Sequence, residues 1–503
     1  MKAKRRIVIV GGGTAGWMAA AALSAMLPRH GFSIDLVESE QIGIIGVGEA
    51  TLPHLRHFND TIGIQEAEFV QATSATMKLG IEFVNWGDIG ERYIHPFGTF
   101  GHAIQGVKFH QAWRKLNAGA GAGEIGKYSL PVRMCQAGKF DVPGSDYRSI
   151  TSSYGYAYQF DANRYAPFLR QISERRGVVR TEGNVNVVTP NPENGEIHSI
   201  LLDNGALIEG DFFIDCTGFR GVLIEQALGA GYEDWSHWLP CDRAIAVPST
   251  AIHPTPPYTR ATAHAAGWQW RIPLQHRMGN GHVYASGFMD EDEAESILRA
   301  NIEGELIAEP RPLRFTTGRR KQFWAKNCIS VGLASGFLEP LESTSIHLTQ
   351  LAITNFIELL PVTSDMSRER DEYNTIMARE FERVRDFLIL HYHVTRRQDS
   401  EFWNYVRTME IPASLQEKID LFSARGRVAR YQQGLFLEPS WLAVYLGQGL
   451  VPGQPDPSAA PLDLADLASQ FEALDQDITA AMASMPGHDH RLAEMLETVS
   501  HTP

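Results

Sequence analysis

The chain opens on an apolar run, Ile7-Val8-Ile9-Val10, rich in β-branched residues. Such a run predicts a parallel strand over residues 5–10, buried on both faces. Glycines follow at once, and the Ala-, Leu- and Met-rich residues 17–26 predict a helix. Residues 32–38 read as a second strand ending in an acid, which completes a strand–helix–strand unit. A helix is predicted over residues 66–77. From Lys78 the pattern alternates, with Leu79, Ile81 and Phe83 on one face and Lys78, Gly80 and Glu82 on the other. Two short strands flank Asn204-Gly205, a pair that favours hairpin turns. The next apolar strand ends in Asp215-Cys216-Thr217-Gly218, a second candidate cofactor contact. Gly267-Trp268-Gln269-Trp270-Arg271-Ile272-Pro273 alternates again, so both tryptophans share one strand face. Residues 282–286 predict its antiparallel neighbour. A last strand over residues 328–332 enters the loop at 339–345. Beyond about residue 346 the pattern is helical, with one proline-rich break at 451–461.

Composition narrows the class. The 503 residues suffice for a large core and two closely packed subdomains. A hydrophobic share of 44% and a charged share of 21% describe an ordinary globular protein. The net charge of −14 disfavours a nucleic-acid partner, whose phosphates want a basic surface. Cys135, Cys216, Cys241 and Cys328 form no C-x-x-C pair, and no histidines show metal spacing. Neither zinc nor a disulfide framework is expected. The basic residues Lys2 to Arg6 lead into glycines rather than a cleavage-type region, and no run of 18 apolar residues occurs. A cytoplasmic enzyme without a signal peptide or membrane span is the expectation.

Gly11, Gly13 and Gly16 fit G-x-G-x-x-G between strand and helix. Gly11 allows the tight turn, Gly13 lets backbone approach a pyrophosphate, and Gly16 lets helix pack on strand. The N–H groups around Thr14 and Ala15 then face the phosphates. Glu38, at the following strand end, can accept hydrogen bonds from ribose hydroxyls. A second glycine segment runs Gly43-Ile44-Ile45-Gly46-Val47-Gly48-Glu49-Ala50-Thr51. The loop alone leaves FAD and NAD open. Cofactor-like glycines spread as far as residue 336 favour FAD, the larger ligand.

The strings Gly46-Val47-Gly48-Glu49-Ala50-Thr51, Lys78-Leu79-Gly80-Ile81, Trp268-Gln269-Trp270-Arg271-Ile272-Pro273 and Glu339-Pro340-Leu341-Glu342-Ser343-Thr344 carry a further reading. With the glycine loop, in this order and spacing, the chain resembles the flavin-dependent halogenases of the tryptophan halogenase family. The resemblance covers roughly the first 350 residues most closely. It implies an α/β fold with α+β elements: a Rossmann-like FAD domain of the flavin monooxygenase type with a mostly helical C-terminal subdomain. Residues 1–345 are expected to form the interwoven FAD-binding and halogenation domain, and 346–503 the helical substrate-side subdomain packed on it. Reduced FAD from a separate flavin reductase, dioxygen and a halide, chloride or bromide, would give hypohalous acid. That oxidant would pass through an internal tunnel to a lysine beside a small aromatic substrate.

The resemblance assigns catalysis to Lys78, which would aim the halogen, and to Glu342, which would stabilise the ring cation and accept its proton. It assigns FAD to Gly11, Gly13, Thr14, Ala15, Gly16, Glu38, Gly48, Glu49, Ala50 and Leu333. Backbone N–H groups at Ser343, Thr344 and Ser345 would hold halide. Trp268, Trp270, Ile272 and Pro273 would line the tunnel, the rings keeping organic substrate away from the flavin. On residue type alone, Lys78 reads as a surface charge, Glu342 as a loop acid and the tryptophans as core. Ser345 departs from the family's glycine, which bears on halide geometry. The loop at 331–336 replaces the Gly-Asp typical of related flavin hydroxylases. No clamp for an amino acid's charged ends is evident near Tyr431 to Tyr445, so indole or another electron-rich aromatic is expected rather than free tryptophan. The alternatives are a flavin monooxygenase that inserts oxygen and a non-catalytic flavin-binding protein.

Overall fold

The computed structural model describes residues 4–40, 48–360, 365–430 and 434–500. Gly43, Gly46 and Val47 of the second glycine segment, and Tyr431-Gln432-Gln433, lie outside the described residues. The chain forms two compact units, each assembled from three stretches. Met1–Ala75, Phe160–Asp242 and Arg314–Val384 make the first; Thr76–Gln159, Arg243–Leu313 and Arg385–Pro503 make the second.

Among its described residues the first unit is organised by a six-stranded sheet. The spatial order is Trp324–Ala325, Cys328–Ser330, Phe212–Asp215, Arg5–Val10, Phe32–Glu38, Val179–Glu182. Arg5–Val10 runs parallel to both of its neighbours. Only Trp324–Ala325 is antiparallel, at one edge. Ile7 to Val10 are buried, as a parallel strand covered on both faces requires. The first helix, Thr14–Met26, buries Ala19 to Ala22 completely, and these small side chains let the Ala162–Arg175 helix pack closely against it. The Asn204-Gly205 hairpin is present, with Ile197–Leu202 antiparallel to Leu207–Glu209.

The helix expected over residues 66–77 is shorter. It spans Glu66–Thr73 and stops because Ser74 is left-handed, at φ 51°. Arg164 holds that turn by donating from Nη1 to Ser74 Oγ at 2.7 Å. The chain then enters the strand Thr76–Lys78 of the second unit. The alternation from Lys78 is likewise divided. Gly80–Val84 is a separate strand, since Leu79 gives its N–H to Pro257 O at 2.8 Å.

Among its described residues the second unit is built on a seven-stranded sheet. Its order is Arg311–Arg314, Arg243–Ser249, Met278–Tyr284, Gly267–Pro273, Thr259–His264, Gly80–Val84, Arg92–Pro96. The tryptophan strand is central and wholly buried. Its neighbour begins earlier than expected, at Met278, and pairs along the full length from Gly267↔Tyr284 to Pro273↔Met278. Alternation puts Trp268, Trp270 and Ile272 on one face. That face meets aromatic rings: Trp86 lies 6.5 Å from Trp268, 5.7 Å from Trp403 and 5.2 Å from Tyr392. The opposite face is polar and closed by ion pairs, Arg260 with Glu82 at 2.5 Å and Arg271 with Glu303. The helical remainder is observed, from Ser345–Glu358 through Ser367–His393 to His488–Ser500. No helix among the described residues is long and apolar enough to cross a membrane.

Candidate active site

The nucleotide loop is shaped by close approach. Gly11 has φ 112°, and a Cβ there would stand 2.2 Å from Cys216 O. At Gly16 a Cβ would stand 1.8 Å from Gly11 O. Gly13 differs, because a Cβ there would meet nothing within 4 Å. The helix beginning at Thr14 has no side-chain cap and no acid in its first turn. Open space over Gly13 and an uncapped helix start, running through Thr14, Ala15 and Gly16, fit a dinucleotide's pyrophosphate. A Cβ at Gly332 would lie 2.6 Å from Ala15 Cβ, so the turn carrying half-buried Leu333 packs against this loop.

Glu38 ends its strand as expected but is engaged. Arg180 Nε donates to Oε1 at 2.5 Å and Trp17 Nε1 to Oε2 at 3.2 Å. Asp215 serves its own loop: Thr217 N and Oγ1 donate to one oxygen, and the N–H groups of Leu223 and Ile224 to the other. Gly48, Glu49 and Ala50 form a short strand, where lost hydration raises the Glu49 carboxyl to about 7.

Pro340–Glu342 forms one tight turn, with Glu342 fully buried. Ser343 is left-handed, at φ 58°, and the helix Ser345–Glu358 starts two residues later. The unusual backbone therefore falls at Ser343, and Ser345 is an ordinary first helical residue that does not need glycine's freedom. The three N–H groups expected at the halide differ in how they are engaged. Ser343 N–H already donates to Pro340 O at 3.0 Å, which leaves the N–H groups of Thr344 and Ser345 at an uncapped helix start. Two histidines escaped the sequence reading. The rings of His54 and His347 lie 4.5 Å apart, and burial together with His54 lowers His347 to about 3. Each follows one of the strings, Glu49-Ala50-Thr51 or Ser343-Thr344-Ser345, which was the available signal.

In the second unit Lys78 ends the strand Thr76–Lys78 with 0% of its surface exposed. Its Nζ stands 5.2 Å from the centre of the Phe97 ring. This excludes a solvated surface lysine. Phe97, not singled out from sequence, is set there by its N–H, which donates to Leu79 O at 2.8 Å. The glycine of Lys78-Leu79-Gly80-Ile81 has a steric reason: a Cβ on Gly80 would meet His95 O at 2.5 Å. Thr76 Oγ1 donates to Pro273 O at 2.7 Å, tying the tryptophan string to the lysine strand. The Trp268 and Trp270 rings are 6.2 Å apart. Ile272 is buried beside them on the same face. Thus the first unit holds the residues assigned to FAD, with Glu342 and Ser343 to Ser345. The second holds Lys78, Trp268, Trp270, Ile272 and Pro273.

The family model for tryptophan halogenase matches residues 6–463. A flavin-dependent halogenase from Xanthomonas campestris is 46% identical, with TM-score 0.94 and 98% of both chains covered. BrvH, a flavin-dependent halogenase from Brevundimonas sp. BAL3, is 43% identical with TM-score 0.93, covering 98% of this chain and 99% of the other. Tryptophan 6-halogenase SttH of Streptomyces toxytricini is 35% identical over 98% of this chain and 99% of its own length. The chain belongs to the tryptophan halogenase family and is a flavin-dependent halogenase.

Proposed function

We propose that this enzyme halogenates an electron-rich aromatic of the indole type, with Lys78 receiving hypohalous acid and Glu342 taking the ring proton. Bound reduced FAD would supply the oxidising chemistry with dioxygen. Gly11, Gly13, Thr14, Ala15 and Gly16 would hold its pyrophosphate, with Glu38, Gly48, Glu49, Ala50 and Leu333 along the rest. The N–H groups of Thr344 and Ser345 would hold chloride or bromide, which needs donors once stripped of water. Trp268 and Trp270 would exclude organic substrate while admitting a small oxidant. Lys78 Nζ would donate a hydrogen bond to the oxygen of hypohalous acid. A ring carbon then forms the carbon–halogen bond as the oxygen–halogen bond breaks, and the departing hydroxide takes a proton from the Lys78 ammonium and leaves as water. Buried Glu342 accepts the proton that restores aromaticity.

The full burial of Lys78 is the observation that carries this reading, because a charge is withdrawn from water only where partners or chemistry require it. A separate flavin reductase would supply the reduced FAD, as in the family the chain belongs to. Free tryptophan is the second reading, favoured by the name of the Streptomyces relative. The test is mass spectrometry of products from indole, tryptophan and phenols, with reductase, FAD, a nicotinamide donor and chloride or bromide. Halogenated indole should form only with halide, and Lys78→Ala should lower its rate about 100-fold or more while still binding FAD. Turnover of tryptophan alone sinks the substrate reading. A Lys78→Ala rate near wild type, or oxygenated product without halide, sinks the mechanism.

A further inference from the structure

Lys78 stands at the end of a strand only three residues long, Thr76–Lys78, paired on one side with residues 157–159. Such a strand does not set its own direction. Both backbone groups of its central residue, Met77, are met by side chains. Its carbonyl accepts from Gln159 Nε2 at 3.3 Å. Its N–H donates to His488 Nε2 at 3.1 Å, across 411 residues of sequence.

His488 begins the C-terminal helix and is 1% exposed. Its Nδ1 lies 2.9 Å from Thr255 O. A carbonyl only accepts, so Nδ1 carries the hydrogen and Nε2 is left as the acceptor that the Met77 N–H requires. The two contacts select one neutral tautomer. Burial pushes the imidazole's pKa down and keeps it in that form. Its anchorage is firm. His488 N–H donates to Gly138 O at 2.9 Å, Phe140 N–H donates to Pro486 O at 3.3 Å, and the Phe140 ring meets the imidazole edge-on at 5.8 Å. Thr255, which receives the Nδ1 hydrogen, is itself held by Asp489 through its N–H at 3.2 Å. Turning the ring from Met77 would break both of its hydrogen bonds in a buried setting.

We propose that His488 is a positioning residue for Lys78: its Nε2 fixes the Met77 peptide and so aims the lysine one residue on. Both of its ring nitrogens are engaged by backbone groups, so its role is assigned through Met77. The inference rests on the reading of Lys78 as the residue that receives hypohalous acid. A displacement of about 1 Å at a reacting group can cost about 100-fold, so a loose Met77 peptide should be visible in turnover.

Asn and Gln separate the two contacts. His488→Asn places its amide near Nδ1, keeping Thr255 and abandoning Met77. His488→Gln reaches the Nε2 position and offers its oxygen to Met77. The whole enzyme is assayed with FAD, reductase, bromide and indole, beside wild type and Lys78→Ala. Three quantities are read: brominated indole per flavin oxidised, bromination of a freely diffusing scavenger, and amide exchange at Met77. His488→Asn should lose at least tenfold in product per flavin with KM for indole unchanged, brominate more scavenger, and exchange Met77 at least tenfold faster. His488→Gln should lie within threefold of wild type in all three. Equal behaviour of the two folded variants overturns the proposal, whether both are active or both impaired. If His488→Asn does not fold, a folded but impaired His488→Gln also overturns it. Wild-type turnover by Lys78→Ala overturns the lysine reading, and the positioning role with it. An inactive Lys78→Ala beside a fully active His488→Asn overturns only the inference.

Discussion

Gly281 is the seat of Trp270, and filling it should move the ring. In the sheet Trp270 pairs with Gly281 on one side and with Ala261 on the other. A Cβ at Gly281 would stand 2.0 Å from Trp270 Cζ2, 2.2 Å from Cη2 and 2.6 Å from Cε2. Carbon atoms in contact sit about 3.5–4.0 Å apart, so the indole must withdraw by about 1.5 Å. It has little space, being 7% exposed with Trp268 6.2 Å away. Overpacking of this kind costs about 1–3 kcal/mol, and Gly281→Ala should lower the thermal midpoint accordingly. The decisive measurement is a double-mutant cycle with Trp270→Ala. Once the ring is gone the added methyl has room, so Gly281→Ala should be nearly neutral in that background, a coupling of about 1–3 kcal/mol. Additive effects would refute the seat. The functional counterpart is leakage: a displaced ring should raise scavenger halogenation per flavin oxidised. An unchanged yield of halogenated indole in a measurably destabilised Gly281→Ala would remove Trp270 from the tunnel wall.

Two further predictions concern the first unit. Gly13 has φ −74° and empty space, so Gly13→Ala should fold normally yet bind FAD at least tenfold more weakly in a fluorescence titration. Gly16→Ala, whose Cβ would meet Gly11 O at 1.8 Å, should instead fail to fold; wild-type FAD affinity in Gly13→Ala would sink the pyrophosphate assignment. His347 sits at about 3 when folded against about 6.5 in an unfolded chain. Above pH 6.5 both states are neutral, and the ring sets no pH dependence. As pH falls from 6.5 towards 3 only the unfolded state gains the proton, so stability drops by about 1.4 kcal/mol per pH unit. His347→Phe should remove that contribution from the thermal midpoint between pH 6.5 and 4.5, and parallel profiles for the two proteins would contradict a neutral, buried His347.

Patterns of short range were readable. The Ile7 to Val10 run became the central parallel strand, because burial on both faces leaves no polar position. The tryptophan string became a central strand with both rings on one face, because a period of two admits no other arrangement. The expectations that slipped were ends. The helix at 66–77 stops at Ser74, where a left-handed turn held by Arg164 outweighs local propensity. The strand from Lys78 divides at Leu79, where Pro257 takes an N–H that a continuous ladder would have used. In both places the deciding partner lies far away in sequence, beyond the reach of periodicity.

The lysine's setting was not legible for the same reason, although the lysine itself was. Lys78 could be named from the string Lys78-Leu79-Gly80-Ile81, but its residue type argued for the surface. Its setting includes groups at 97, 159, 273 and 488: a ring beside Nζ, an amide and a proline carbonyl meeting Thr76, and an imidazole meeting Met77. None of these is marked by local pattern. Pro273 illustrates the difference. In sequence it reads as the end of an alternating strand, since it lacks an N–H for the ladder. In the fold its carbonyl is what matters, because it accepts from Thr76 two residues before Lys78. The string that reads as a wall of rings is therefore also a strut for the lysine strand. Substitutions that shift Pro273 should disturb Lys78 even where both tryptophans remain in place.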